Sequence, residues 1–399
     1  MRIGVYGGSY NPPHIGHALA AAELIRELRL DRLLIVPAAD PPHKALPSGS
    51  PAPMERLALC RAAFAGIPGV ELCDLELRRE GKSYTVDTLT ELKAQNPADE
   101  LILIMGTDMF LSFSTWREPE RIAAMAALAV MRREENTAIW AEVQREAQRL
   151  EHSMHARVIP VENRCIQISS TTVRRLLAFG APDGLAAPVL AMILANGWYL
   201  TDGSLKDLPF DRLCACSLEL HDEKRRAHVR GTCETAEALA RHWGADPDAA
   251  RRAGILHDIT KALGPKEQLH ICEKYDMMLT KTQRENPKLL HAKTGAVIAR
   301  EIFGESEEVF RAIWWHTTGR VNMSLLEKIL YIADYMEPNR SFSGVETLRE
   351  LVWKDLDAAI WCGLDQSVSY LRELNRVIDE DSLQAWEYYR NLTERRQES

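Results

Sequence analysis

His14 and His17 stand three positions apart at the end of the run Gly7-Gly8-Ser9-Tyr10-Asn11-Pro12-Pro13-His14-Ile15-Gly16-His17. The run lies between a β-rich segment at residues 3–6 and a helical pattern over residues 18–28. Glycine lacks a Cβ, so Gly7 and Gly8 let the backbone come close to a ligand. A helix entrance offers free N–H groups and the positive end of the dipole, so the two histidines sit where an anion is held. A second anion-binding pattern occurs at Ile168-Ser169-Ser170-Thr171-Thr172-Val173-Arg174, where hydroxyls precede an apolar helix and an arginine falls in its first turn. That arrangement suits a triphosphate; by itself, Ser169 or Ser170 could equally be a helix cap.

The second half carries a different chemistry: His228, the adjacent His257-Asp258, His291, His316 and Asp334. Four imidazoles and two carboxylates can hold two transition metals. A carboxylate can bridge them, while neutral histidines leave positions for water or a phosphate oxygen. Any one of these histidines alone reads as structural. The set gains specificity because His257-Asp258 follows the apolar Ala253-Gly254-Ile255-Leu256 and Asp334 closes Ile329-Leu330-Tyr331-Ile332-Ala333. Lys261 and Arg340 are candidate phosphate contacts. Lys224-Arg225-Arg226, just before His228, reads either as a solvated charge run or as a further contact through Arg225, and Trp314 and Trp315 read as helix packing.

These residues need elements to position them. In the first half, β-rich runs at residues 3–6, 33–36, 70–75, 101–105, 128–131 and 158–161 alternate with helical patterns at 18–28, 55–65 and 85–94. Such alternation predicts a parallel α/β sheet covered by helices on both faces. In an open sheet of this kind, ligands bind beyond the carboxyl ends of the strands. Around residues 201–211 the chain turns polar and turn-prone, and β-rich runs largely disappear thereafter. Helical patterns follow at 235–243, 250–255, 294–302, 309–315 and 325–336. The expectation is an α/β domain over residues 1–202 followed by an all-α domain over 203–399, in keeping with a 399-residue length that exceeds one core.

A formal net charge of −8 argues against broad binding to a nucleic-acid backbone. The eight cysteines show no paired spacing and read as reduced, buried thiols. The apolar stretches at 122–131 and 185–200 are too short or too interrupted for a membrane span. The start of the chain has no signal-peptide pattern, so a cytoplasmic protein is expected. Composition leaves self-association open.

Taken together, His14-Ile15-Gly16-His17 and Ser169-Ser170-Thr171-Thr172-Val173-Arg174 resemble the paired signatures of the HxGH nucleotidyltransferases, which have a Rossmann-like α/β fold. Val36-Pro37-Ala38, Pro41-Pro42-His43-Lys44, Ser83-Tyr84-Thr85-Val86-Asp87-Thr88-Leu89, Gly106-Thr107-Asp108 and Trp116-Arg117 extend the likeness, in order, to the nicotinate mononucleotide adenylyltransferases. Tyr10-Asn11 stand where that family commonly has Phe-Asp. The resemblance implies adenylyl transfer from ATP, with Mg²⁺, to nicotinate mononucleotide, and no covalent enzyme intermediate. It places His14, His17 and Arg174 at the reacting phosphates. Gly7, Gly8, Ser9, Ser169, Ser170, Thr171 and the cationic Lys44 belong to nucleotide binding. Thr85 and Trp116 would recognise the pyridine ring, and Gly106, Asp108 and Arg117 would complete the substrate site.

The second set is similar to the HD-superfamily metal phosphohydrolases, whose minimal pattern of a histidine, a His-Asp pair and a distant aspartate falls on His228, His257, Asp258 and Asp334. Leu256-His257-Asp258-Ile259-Thr260-Lys261, His316-Thr317-Thr318-Gly319 and Ala333-Asp334-Tyr335-Met336-Glu337-Pro338-Asn339-Arg340 resemble the bacterial members that split diadenosine tetraphosphate symmetrically to ADP. That likeness implies an iron or manganese pair completed by His291 and His316. Lys261 would act at the reaction centre, with Arg225, Thr317 and Arg340 holding phosphates. Two alternatives stand beside it: hydrolysis of another nucleotide, or a regulatory nucleotide-binding module.

Overall fold

In the computed structural model, which describes residues 1–42, 45–132 and 135–397, the short apolar runs form six strands. These are β1 (Arg2–Gly8), β2 (Arg32–Pro37), β3 (Val70–Leu72), β4 (Glu100–Gly106), β5 (Ala126–Met131) and β6 (Val158–Val161). All five neighbouring pairs are parallel, in the order β3-β2-β1-β4-β5-β6. The alternating side chains of each strand divide between two cores, as the two-residue strand period requires. Ile3, Val5, Leu34, Val36, Leu101 and Leu103 face one core with Val86, Leu89 and Leu150. Tyr6, Leu33, Ile35, Ile102 and Ile104 face the other with Ala21, Leu24 and Cys60. Burial on both faces is why these strands read as unbroken apolar runs. The strand order reverses between β1 and β4, so the ends of those strands, at Gly8 and Gly106, open a crevice at the switch point.

Two boundaries in the α/β part lie three residues from expectation. The third strand stops at Leu72, and residues Leu75–Arg78 form a 3₁₀ turn that carries Leu75 and Glu76 inward. The first helix spans Ile15–Glu27, starting three residues early, because the motif itself supplies its first turn.

The chain divides into two compact units, Met1–Asp202 and Gly203–Ser399. The described part of the second unit is helical. Its site is carried by helices Glu223–Trp243, Pro247–Leu256, Leu290–Glu301, Glu307–Trp315 and Leu325–Met336. They pack through small or branched residues, among them Ala236, Ala240, Ala253, Ala296, Ala312, Ile329 and Ala333, each fully buried. The helix carrying His228 begins twelve residues before the expected position. Its first two turns are largely solvent-facing, so no apolar period announces them. No helix among the described residues is long and apolar enough to cross a membrane.

Candidate active sites

A cavity of about 740 Å³ opens at the carboxyl ends of β1 and β4. Gly7, Gly8, Ser9, His14, His17, Thr85, Gly106, Asp108, Trp116, Ser169, Ser170, Thr171 and Arg174 all line it. Thus the wall gathers residues from the first strand to a helix more than 160 positions later. Arg117 is not among the lining residues. It is half-exposed, with its guanidinium 4.7 Å over the Tyr84 ring and 3.7 Å from the Glu118 carboxylate. Lys44 lies outside the described residues, as does His43.

His14 is the N-cap of helix Ile15–Glu27, in extended conformation, and its ring stacks on that of His17 with centroids 3.7 Å apart. The His14 backbone N–H donates to His17 Nδ1 at 3.2 Å. With Nδ1 accepting, a neutral His17 carries its proton on Nε2 and is a donor there. Gly16 is needed for close approach: a Cβ at this position would fall 2.5 Å from Ile168 Cγ2. The glycine of the first motif therefore lets the second motif pack against it.

The second helix spans Ser170–Ala178, and Ser169 caps it by accepting from the Thr172 N–H at 3.1 Å. Because the cap is Ser169, Arg174 falls in the second turn rather than the first. Ser170 Oγ donates to the Pro12 carbonyl at 2.9 Å, and Arg174 Nη1 donates to that of Asn11 at 2.5 Å. These bonds tie the two motifs into one wall. The two departures from the family pattern serve the same loop: buried Tyr10 donates its hydroxyl to the Tyr6 carbonyl at 2.7 Å, and Asn11 Nδ2 donates to Ser50 Oγ at 2.8 Å.

Sequence reading missed three supports. Arg56, fully buried, donates to the Ser9 carbonyl at 2.7 Å and the Ala39 carbonyl at 3.0 Å, joining the loops after β1 and β2. Glu76 lines the cavity and accepts from Thr88 Oγ1 at 2.7 Å; burial pushes its carboxyl pKa up. Asn163 accepts from the Arg132 N–H at 2.7 Å and donates to the Arg132 carbonyl at 3.0 Å, pinning the chain beyond β5. None of the three stands in a pattern that separates it from an ordinary surface residue.

In the second unit, all six proposed metal ligands converge. His228 Nε2 lies 3.2 Å from His257 Nε2 and 3.2 Å from Asp334 Oδ1. Asp258 is placed between two histidine pairs. Its Oδ2 is 3.6 Å from Nε2 of both His228 and His257, and its Oδ1 is 3.4 Å from His291 Nε2 and 3.7 Å from His316 Nε2. Donor atoms bound at ~2.1 Å to one ion stand about 3.0–3.4 Å apart, so the set fits metal ligation with modest adjustment. In two groups, His228, His257, Asp334 and His257, Asp258, His316, the ligand atoms all lie within 4.8 Å of one another.

The Nδ1 atoms of His257, His291 and His316 are 2.7, 2.6 and 2.7 Å from the carbonyls of Gly254, Lys288 and Ile313. Each imidazole thereby donates from Nδ1 and keeps Nε2 as the acceptor that a metal requires. Burial, reinforced by the Lys261 ammonium, holds the His291 pKa down to about 3, so that ring is neutral. For Asp258 and Asp334, burial works upward, yet the surrounding histidines and cations carry both well below the ordinary carboxylate range. Burial likewise opposes charge on His228, but hydrogen bonds to Asp258 and Asp334, with Glu337 behind them, push its pKa up to about 9.

Cations surround this cluster. Arg225 pairs with Asp258, Arg340 Nη2 lies 2.7 Å from Asp334 Oδ1, and Lys261 Nζ lies 2.8 Å from His291 Nε2, its pKa lowered by burial. Thr317 Oγ1 is 3.2 Å from Nε2 of both His291 and His316. Trp314 and Trp315 lie beside Lys293, whose Nζ is 4.4 and 4.9 Å from their ring centroids.

The cytidylyltransferase-like family matches residues 5–176, and the HD domain family matches residues 225–339. The probable nicotinate-nucleotide adenylyltransferase of Shewanella baltica is 36% identical over 212 residues, covering 49% of this chain and 97% of that protein. The symmetrical bis(5'-nucleosyl)-tetraphosphatase of Halalkalibacterium halodurans is 42% identical over 162 residues, covering 40% of this chain and 86% of that protein. A predicted HD superfamily hydrolase involved in NAD metabolism, from Clostridium acetobutylicum, has a solved structure with 35% identity and a TM-score of 0.45, covering 46% of this chain and 98% of that one. By the two family matches and the Shewanella and Halalkalibacterium relatives, the chain belongs to the nicotinate-nucleotide adenylyltransferase family through its N-terminal part and to the HD-superfamily hydrolases through its C-terminal part.

Proposed function

We propose that this chain is a bifunctional cytoplasmic enzyme. Residues 1–202 transfer the adenylyl group of ATP to nicotinate mononucleotide, and residues 203–399 hydrolyse diadenosine tetraphosphate to two molecules of ADP. The observation that carries the reading is the gathering of each site within its own part of the chain: the lining residues all precede position 175, and the six metal ligands all follow position 227.

In the first reaction a phosphate oxygen of nicotinate mononucleotide attacks the α-phosphorus of ATP, and pyrophosphate leaves. The protein contributes position and charge rather than a nucleophile. His14 and His17 hold the reacting phosphates, with His17 Nε2–H as a donor, while Arg174, Ser170 and neighbouring N–H groups hold the triphosphate together with Mg²⁺. Thr85 and Trp116 take the pyridine ring and its carboxylate, which favours the nicotinate over the nicotinamide form.

In the second reaction His228, His257, His291, His316, Asp258 and Asp334 would hold an iron or manganese pair. When bound, such a pair activates water and offsets charge on phosphate oxygens. Asp258, with one oxygen toward each histidine pair, would serve both metal positions. Lys261, Thr317, Arg225 and Arg340 orient the polyphosphate, and centring its bridge on a β-phosphate gives two equal products.

The test is incubation of the purified, metal-loaded chain with a nucleotide panel and chromatography of every product. Deamido-NAD with pyrophosphate, and ADP alone from diadenosine tetraphosphate, are expected. Equal or better use of the amide mononucleotide would reject the first substrate. AMP plus ATP would reject symmetric cleavage, and binding without turnover would leave a regulatory module.

A further inference from the structure

Three of the four clustered histidines orient themselves through a carbonyl three residues earlier, whereas His228 does not. His257 and His316 directly follow the helices Pro247–Leu256 and Glu307–Trp315, in whose last turns carbonyls are released from the regular i→i+4 pattern, and the Ile313 carbonyl takes only the His316 N–H, at a long 3.4 Å, beside the ring. His291 follows a 3₁₀ turn and uses Lys288 in the same way. His228, by contrast, lies inside helix Glu223–Trp243, where the preceding carbonyls are occupied by the helix itself. Its Nδ1 must find an acceptor from elsewhere, and it meets Glu337 Oε1 at 3.1 Å.

We propose that Glu337 is a positioning residue for metal binding. It fixes the tautomer of His228, aims Nε2 into the ligand cluster, and strengthens His228 as a donor relative to the three histidines that rest on neutral carbonyls. The inference rests on the reading of His228 as a metal ligand.

Glu337 is built for this task. Its side chain is buried, and Oε2 accepts from both the backbone N–H and Nδ2 of Asn339, each at 2.7 Å. Asn339 Nδ2 also donates to the Ala227 carbonyl at 3.1 Å, next to His228, and Arg349 Nη2 donates to the Glu337 carbonyl at 2.8 Å. The carboxylate therefore cannot swing away without breaking several bonds.

The helix makes room for it. Gly231 lies one turn beyond His228, and a Cβ there would stand 2.3 Å from Glu337 Oε2 and 3.0 Å from Asn339 Nδ2. Glycine inside a helix is unfavourable relative to alanine. Its presence at this position is accounted for by the carboxylate that occupies the space.

The experiment measures Mn²⁺ stoichiometry and affinity by calorimetry on the full-length chain after chelation. Wild type is expected to bind two ions. Glu337→Gln, which preserves side-chain shape, should weaken one of the two sites roughly 10–100-fold, the range found when an outer partner of a ligating histidine is removed. Gly231→Ala should weaken the same site, although alanine favours the helix, because it displaces the carboxylate. The double variant should be no weaker than the weaker single variant, since both changes remove one interaction. Helical circular dichroism and the unfolding temperature serve as fold controls, and Gly231→Ala carries the test if Glu337→Gln is unstable. Wild-type affinity at both sites in both variants would overturn the role of Glu337. Two unaltered sites in His228→Ala, or no uptake by wild type, would instead overturn the ligand reading beneath it.

Discussion

His17 accepts the His14 N–H through Nδ1 and so presents a donor from Nε2, an arrangement suited to a phosphate oxygen gaining charge in the transition state. Removing one preorganised donor of this kind costs about 2.7–4 kcal/mol of transition-state stabilisation. His17→Ala is therefore expected to lower adenylyl-transfer kcat by about 10²–10³-fold while sparing phosphohydrolysis, measured on one preparation. Parallel loss of both activities with the fold intact would refute separate sites. In the second site the protonation balance can be measured without turnover. The folded pKa of His228 is raised from 6.5 to about 9, so its stabilising contribution in the chelated protein is fully present below pH 6.5 and disappears as pH rises through about 9. The depressed carboxylates Asp258 and Asp334 act at the other end, losing their contribution only in acid. The chelated protein should thus show an unfolding temperature for its helical part that falls between pH 6.5 and pH 9, and metal loading should flatten that slope. A flat profile without metal would show that His228 carries no proton there.

At the scale of elements, the nucleotide cavity depends on helix Ser170–Ala178 lying against the loop before His14. Ser169 and Ser170 divide the work: one caps the helix, the other bonds the loop. Ser169→Ala should lower stability by about 0.5–2 kcal/mol, the usual range for a lost cap, with little change in KM for ATP. Ser170→Ala should raise KM for ATP more than it lowers stability. Chemical denaturation paired with kinetics checks both, and the reverse pattern would exchange the two roles. The four central strands were legible because they are largely apolar runs, such as Leu101 to Met105, buried on both faces. The beginning of helix Glu223–Trp243 was not legible. Only Val229 is buried in its first two turns, and a polar segment carries no period to read.

For the whole molecule, each set of site residues belongs to one compact unit, Met1–Asp202 or Gly203–Ser399. Metal should therefore stabilise only the second. Differential scanning calorimetry with and without chelator is expected to move one of two transitions, and Asp258→Ala should abolish that movement together with hydrolysis while adenylyl transfer persists. A shift of both transitions, or of neither, would refute this. The amino-acid sequence by itself determined which chemistries the chain can carry. Paired motifs such as His14-Ile15-Gly16-His17 with Ser169 to Arg174, and His257-Asp258 with Asp334, are fixed by residue type and order. The tertiary structure alone decided which groups support them. Arg56 joins the loops at Ser9 and Ala39, Asn163 pins Arg132, and Glu337 reaches His228 across 109 positions. Those pairings are invisible in the chain because a buried polar side chain is matched by whatever the packing brings beside it, and packing between distant elements leaves no local period or spacing to read.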